Sequence, residues 1–317
     1  MPTSMPATPA PTVALVTGST NGIGHGVARR LLAAGMTVIV HGPTPEHVEG
    51  ARDRLLLAGL PADRIELEIA DFRDLQAVAE LATRIQARHP RLDALVNNAA
   101  VSGSDTRTLT RDGHELVHQV NYLAPYLLTR LLWTPLCMSG HGRVVNVSSS
   151  LHRTGNFNWG DMDRAKNYTR TAAYAQSKLQ LTMFTRAAAA AAGDRLLAAS
   201  VHPGVVASGL LPLYARAGAS VGEGAEAVAR LCLPETELRT GAYYDGQVQG
   251  PVASLVNDER ALARLWKATA KALGFDPQIT GDLVDGPARG ADQRDRIAPK
   301  FLGVPGRSAR HHTPLSS

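Results

Sequence analysis

Residues 13–26 read VALVTGSTNGIGHG, an apolar run that passes within two residues into three glycines, Gly18, Gly22 and Gly24. Beyond them VARRLLAAG (27–35) has the spacing of an amphipathic helix, so the glycines stand where a strand turns into a helix. A glycine there serves either a tight turn with close helix–strand packing or a backbone kept bare for a phosphate. The spacing is TGxxxGxG, not the GxGxxG of the common dinucleotide fingerprint, and alone it decides nothing.

Working outward, short aliphatic runs alternate with longer amphipathic ones. TVALVTG, MTVIVHG, RIELEIA, LDALVNN, GRVVNVSSS and RLLAASVHPG read as strands. Residues 22–34, 45–59, 73–88, 108–133 and 171–192 read as helices; Val78, Leu81, Ala82 and Ile85, for example, fall at i, i+3, i+4 and i+7. Alternating β and α with Val-, Ile- and Leu-rich strands implies a single α/β domain: a doubly wound parallel sheet of Rossmann type, with helices on both faces. Ligands of such sheets lie beyond the carboxyl ends of the strands. The expected organisation is a disordered leader (1–11), the α/β domain (12–275), and a basic appendage containing Pro and Gly (276–317).

Of the 317 residues, 44% are hydrophobic, ample for a core, and no apolar run reaches the length of a membrane span. The leader lacks the basic and apolar regions of a signal peptide. Two cysteines, Cys137 and Cys232, form no CxxC, which argues against a disulfide framework and for a cytoplasmic protein. The net charge is +5, and residues 286–317 account for +4 of it. The basicity belongs to the tail, and nucleic acid is not an expected partner.

Tyr174 and Lys178, in AAYAQSKLQ, are four apart on an expected helix and share a face. An ammonium beside a phenol favours the phenolate and lowers the tyrosine pKa, which suits Tyr174 to proton transfer near neutral pH. GRVVNVSSS delivers hydroxyls at a strand's carboxyl end, where one can hold a carbonyl or alcohol oxygen. A surface Tyr–Lys pair and a strand-end cap are the bland alternatives, and at least one of Ser148, Ser149 and Ser150 must have such a role.

Together these residues resemble the short-chain dehydrogenase/reductase family in its single-domain branch. TGSTNGIG, Asp71, NNAA, Asn121, the strand-end serine, YAQSK and HPG occur in the family's order from about Val13 to Gly204. The resemblance implies that Tyr174 is the acid/base, Lys178 lowers its pKa and holds the nicotinamide ribose, Ser149 orients the substrate oxygen, and Asn121 supports a proton-relay water. It implies that Gly18, Ser19, Asn21, Gly22, Ile23 and Gly24 cradle a dinucleotide pyrophosphate. Asp71 would contact adenine, Asn97 would brace the sheet behind the nicotinamide, and Pro203 and Gly204 would border that ring. Many relatives are dimers or tetramers, so a homodimer or homotetramer is possible.

The chain also departs from the pattern. NNAA ends in Ala100 where glycine is usual, and HPG is followed by VVAS where the family places a threonine; whether Ser208 replaces it stays open. Between Ser149 and Tyr174 lie 24 residues, about twice the usual gap. That long segment, with VNYLAPYLLTRLL and YAQSKLQLTMFT, looks most like the retinol-dehydrogenase-like subgroup. It brings Phe157, Trp159 and Tyr168 beside the expected site, and VVASGLLPLYARAGASV falls where the family carries a mobile lid. Both suit a pocket for an apolar or ring-bearing carbonyl compound.

After the second strand, VIVHGPTPEH holds no acid before Glu46 to accept from ribose hydroxyls, which favours NADP(H) over NAD(H). His41 and Thr44 are the nearby donors. His114 and His118 stand at i, i+4 like a metal pair, but no third ligand has matching spacing and no Cys/His cluster exists, so no metal site is expected. The expected activity is hydride transfer between nicotinamide and a carbonyl/alcohol pair. The alternatives are an epimerase or dehydratase, whose TGxxGxxG and larger substrate domain are missing here, and a non-catalytic dinucleotide sensor, in which the Tyr–Lys pair is commonly lost.

Overall fold

The computed structural model describes residues 12–205 and 220–275. The leader, the 276–317 appendage and nearly all of the expected lid lie outside the described residues. Eight strands form one sheet: β1 (Val13–Val16), β2 (Thr37–Gly42), β3 (Ile65–Ile69), β4 (Ala94–Asn97), β5 (Gly142–Val147), β6 (Leu196–His202), β7 (Tyr243–Asp245) and β8 (Val248–Gln249). Their order is β3-β2-β1-β4-β5-β6-β7-β8. Every neighbouring pair is parallel except β7 with β8.

Period-two alternation divides the strand residues between two cores. Leu15, Ile39, Leu95, Val144 and Ala198 face one side, whereas Val16, Val40, Val96, Val145 and Val201 face the other. The first core is covered by α3 (Leu75–Arg88), α5 (Ala124–Leu131), α7 (Arg170–Ala192) and α9 (Glu259–Leu273). The second is covered by α1 (Gly22–Ala33), α2 (Pro45–Leu57) and α8 (Val221–Ala229). The central strands are thus sealed on both faces, which is why they read as unbroken aliphatic runs rather than alternating ones.

The stretch 108–133 is not one helix. A bridge pairs Leu109 with Glu115, and α4 (Leu116–His118), a π-helical turn (Gln119–Leu123), α5 and α6 (Trp133–Met138) follow. Pro125 supplies the physical reason: an α-helix would close the Asn121 carbonyl with the N–H of residue 125, and proline has none. The helix widens instead, with the Ala124 N–H reaching the Gln119 carbonyl. Beyond the expected elements lie β7, β8, α8 and α9. Helix α8 opens on a capping box, Ser220 with Glu223, and α9 closes on left-handed Gly274. The strand order reverses between β1 and β4, so a cleft opens at their carboxyl ends.

Candidate active site

The glycine turn occupies one end of that cleft. Gly18 has φ +62°, and a Cβ there would stand 2.8 Å from the Ala99 Cα; a Cβ on Gly24 would collide with the Asn98 amide and the Gly18 carbonyl. The turn and the segment after β4 are laced together. The Asn98 Nδ2 donates to the carbonyls of Thr17 (2.9 Å) and Gly18 (3.0 Å). The Thr17 hydroxyl donates to Val96 O (3.1 Å) and accepts from the N–H groups of Asn98 (3.0 Å) and Ala99 (3.1 Å).

Ser19 is buried and spends its hydroxyl on the Val16 carbonyl (2.7 Å) and the His41 N–H (3.0 Å). Helix α1 begins at Gly22; its N-cap, Asn21, makes no side-chain cap bond, and its first turn holds no acid. The bare first-turn N–H groups and the positive end of the helix dipole fit a pyrophosphate. Asn21, Gly22, Ile23 and Gly24 all line a cavity of about 730 Å3 that runs past Pro43 and Asp71 to Val101, Ser104 and Val120.

His41 is buried at the floor of this cavity. Its Nε2–H donates to Ala70 O and its Nδ1 accepts the Gly18 N–H, both at 3.1 Å. Burial pushes its pKa down to about 4, so the ring is neutral and both nitrogens are committed. His41 is therefore not the cofactor donor that its position near the end of β2 suggested. Thr44 likewise donates to Glu46 (2.5 Å). The cation at this end was not legible near β2: a second cavity of about 500 Å3 is lined by Thr20, His25, Glu46, His47 and, from the far part of α2, Arg54.

Asp71 lines the larger cavity and is gripped by Arg73, whose Nε lies 2.8 Å from Oδ2. Burial raises the Asp71 pKa, but the hydrogen bonds and charge of Arg73 outweigh it and the net shift is downward. Asn97 is turned into the sheet, donating to Thr129 Oγ1 (3.0 Å) and Asn146 Oδ1 (2.7 Å). Pro203 and Gly204 follow β6 and are not among the residues lining the larger cavity.

Beyond Val101, β5 and α7 meet; Asn121, Ser149, Tyr174 and Lys178, like Pro203 and Gly204, are not among the residues lining the larger cavity. The Lys178 Nζ donates to the carbonyl of Val147, the last residue of β5, at 2.9 Å and lies 5.5 Å from the Tyr174 ring centroid. Burial alone lowers the Lys178 pKa to about 7. Ser148 has the structural role: its hydroxyl bonds Thr182 Oγ1 (2.7 Å) and the Lys178 carbonyl (3.3 Å). Ser149 caps the 3-10 turn Ser150–Thr154, accepting from Leu151 N at 3.0 Å, while His152 Nδ1 donates to the Ser149 carbonyl at 2.7 Å. Tyr174 packs in a small cluster with Val117, Val101, Leu151 and Tyr168. Asn121 uses its amide to clamp the main chain of Val101 (2.8 and 3.0 Å) and to reach Ser177 Oγ (3.2 Å). Its own carbonyl is the one deprived of an α-helical partner by Pro125.

His114 and His118 are not exposed helix-surface groups. Their Nδ1 atoms lie 3.1 and 2.9 Å from the carboxylate of Asp163, 49 and 45 residues away in sequence.

The family model described as short chain dehydrogenase matches residues 12–215. The chain therefore belongs to the short-chain dehydrogenase/reductase family and is an NAD(P)-dependent oxidoreductase, similar to its retinol-dehydrogenase-like members. It is 32% identical over 280 residues to retinol dehydrogenase 13 of Mus musculus, covering 82% of this chain and 83% of that one. It is 34% identical over 270 residues, 82% of this chain and 92% of the other, to a Streptomyces sp. (strain C5) protein with the provisional name daunorubicin C-13 ketoreductase. A solved short chain dehydrogenase from Mycobacterium smegmatis superposes with a TM-score of 0.59 at 27% identity, covering 76% of this chain and 93% of that one.

Proposed function

We propose that this enzyme moves hydride between NADP(H) and the carbonyl/alcohol pair of an apolar, ring-bearing small molecule, with Tyr174 as acid/base. The carrying observation is the meeting of Lys178, Tyr174 and the end of β5, with Tyr174 packed on Val101, a residue that lines the glycine-turn cavity. When bound, the nicotinamide supplies or accepts the hydride. Asn21, Gly22, Ile23 and Gly24 hold the pyrophosphate with main-chain N–H groups, while Gly18, whose N–H is taken by His41, and Ser19 shape their turn. Asp71 bounds the adenine end, Asn97 stiffens the sheet, and Pro203–Gly204 border the ring.

Lys178, in its cationic form, holds ribose hydroxyl oxygen and draws the Tyr174 proton toward release. Ser149 holds the substrate oxygen, Tyr174 gives or takes its proton, and the Asn121 carbonyl accepts from a relaying water. The ring-bearing substrate class rests on the names of the two relatives and on the aromatic segment 155–169. A reducing, cytoplasmic compartment fits the free Cys137 and Cys232, and no helix among the described residues is long and apolar enough to cross a membrane. A homodimer or homotetramer is the assembly we favour, by likeness to the family.

The reading of NADP(H) rests on the smaller cavity. The Arg54 guanidinium stands there beside the glycine turn, with the rings of His25 and His47 and one carboxylate, Glu46, and a 2′-phosphate suits that guanidinium. Titrating wild type and Arg54→Ala with NADPH and NADH, read by nicotinamide fluorescence, tests it. NADPH should bind wild type more tightly, and the substitution should weaken NADPH by about 10–100-fold while leaving NADH unchanged. Equal loss for both, or an NADH preference, overturns the cofactor reading but not the oxidoreductase.

A further inference from the structure

We propose that His114, His118 and Asp163 form a binding site for one first-row divalent ion of the zinc type, which clamps the segment between β5 and α7 onto the turn that carries Asn121. The sequence offered two histidines and no third ligand; the fold brings the third from a distant segment. The His114 Nδ1 lies 3.1 Å and the His118 Nδ1 2.9 Å from Asp163 oxygens, and the ligand atoms of all three residues fall within 4.8 Å of one another.

An ion about 2.1 Å from each donor spans pairs up to about 4.2 Å apart, so small rotations of the half-buried His114 and Asp163 complete the set. Two imidazoles and one carboxylate with a side left open is the donor set that borderline cations such as Zn2+, Co2+ and Ni2+ favour over Mg2+ or Ca2+. Among the described residues, no other group of three or more His, Cys, Asp or Glu side chains converges in this way.

The surroundings are built, not incidental. The Glu115 N–H donates to Asp163 Oδ1 at 2.9 Å and fixes the carboxylate. The His118 ring is stacked on Tyr122 at 9°, and its Nε2 faces buried Gln180 at 3.3 Å. An amide flip lets Gln180 accept from Nε2–H, the tautomer that leaves Nδ1 free to ligate. Buried Glu115 caps the same turn, accepting from the N–H groups of Val117 (3.0 Å) and His118 (2.8 Å) and fixing the backbone that carries His118.

What the ion would hold is the aromatic wall. Phe157 and Trp159 are stacked at 4.7 Å, and the Tyr168 hydroxyl donates to the carbonyl of Ser104, a residue lining the larger cavity. The segment is otherwise tied to α7 by the Gln176 amide on the Met162 carbonyl, 2.8 Å.

The test is a titration of EDTA-treated full-length protein with Co2+, read as visible absorption between about 500 and 650 nm, and with Zn2+ by calorimetry. One ion per chain should bind, and it should raise Tm. Asp163→Asn and His114→Gln should each weaken binding at least about 100-fold while still binding NADPH, which shows that they fold. No Co2+ band and no Zn2+ heat would overturn the proposal, leaving a hydrogen-bonded clamp. A band that persists in both variants would also overturn it, because the ion would then be held elsewhere, as by the His311–His312 pair.

Discussion

Replacing His41 with leucine tests whether the glycine turn depends on a neutral imidazole. The ring carries one donor and one acceptor, each used once: the Gly18 N–H enters Nδ1, and Nε2–H enters Ala70 O. A second proton on the ring would turn Nδ1 into a donor aimed at a donor. Burial accordingly holds the pKa at about 4 against an ordinary 6.5. As pH falls below 6.5 the unfolded chain takes a proton that the folded chain refuses. Stability then falls by up to about 1.4 kcal/mol per pH unit until pH reaches about 4, a total of roughly 3 kcal/mol.

At pH 7 the leucine variant should be the less stable protein, because the half-buried Gly18 N–H and the buried Ala70 carbonyl lose their partners at a cost of about 1–3 kcal/mol each. Towards pH 4.5 its deficit should shrink by roughly 2–3 kcal/mol, because it lacks the imidazole's titration. Urea unfolding of both proteins at pH 7, 5.5 and 4.5 measures this. His25, His152 and His202, whose pKa values are also lowered chiefly by burial, are common to both proteins and cancel in the difference. A deficit that stays constant with pH would refute the argument.

Three further substitutions probe the cleft. Tyr174→Phe should lower kcat by at least about 100-fold without changing NADPH affinity, and wild-type turnover would remove Tyr174 from the chemistry. Gly24→Ala, whose methyl meets the Asn98 amide and the Gly18 carbonyl, should weaken NADPH binding at least about tenfold in fluorescence titration. Asn121→Ala releases both bonds to the Val101 main chain, so kcat should drop more than NADPH affinity does; an affinity loss as large as the kcat loss would count against a role at the substrate end.

The sheet was legible because fully buried parallel strands leave aliphatic runs that need no partner to be recognised, as VALV and TVIVHG show. The glycine turn and the Tyr174–Lys178 pair were legible for a similar reason: their geometry is local, a turn or a single helical face. What escaped was non-local or directional. Whether His41 offers its donor to a ligand or to Ala70 depends on which way the end of β2 faces, and composition is silent on that. Arg54 reaches the glycine turn from the far part of α2, beyond any window drawn around the end of β2. Asp163 joins His118 across 45 residues. The break in 108–133 was visible in principle, since Pro125 cannot close a helical bond, yet a continuous apolar pattern concealed it.

The bonds through Thr17 and Asn98 make the glycine turn and the segment after β4 one piece of floor. On the proposed reading of the site, the phosphate end and the beginning of the substrate end cannot drift apart without breaking that stitching. The enzyme is therefore modular in a useful sense: its gauge, the spacing between the cofactor cradle and the reacting end, is set in the sheet. The walls that we propose choose a substrate, 155–169 above all, hang on α4 and α7. Those walls can be recut for a different ketone or alcohol while the gauge stays in register, which makes residues 155–169 the place to begin redesign and Thr17 and Asn98 the residues to leave alone.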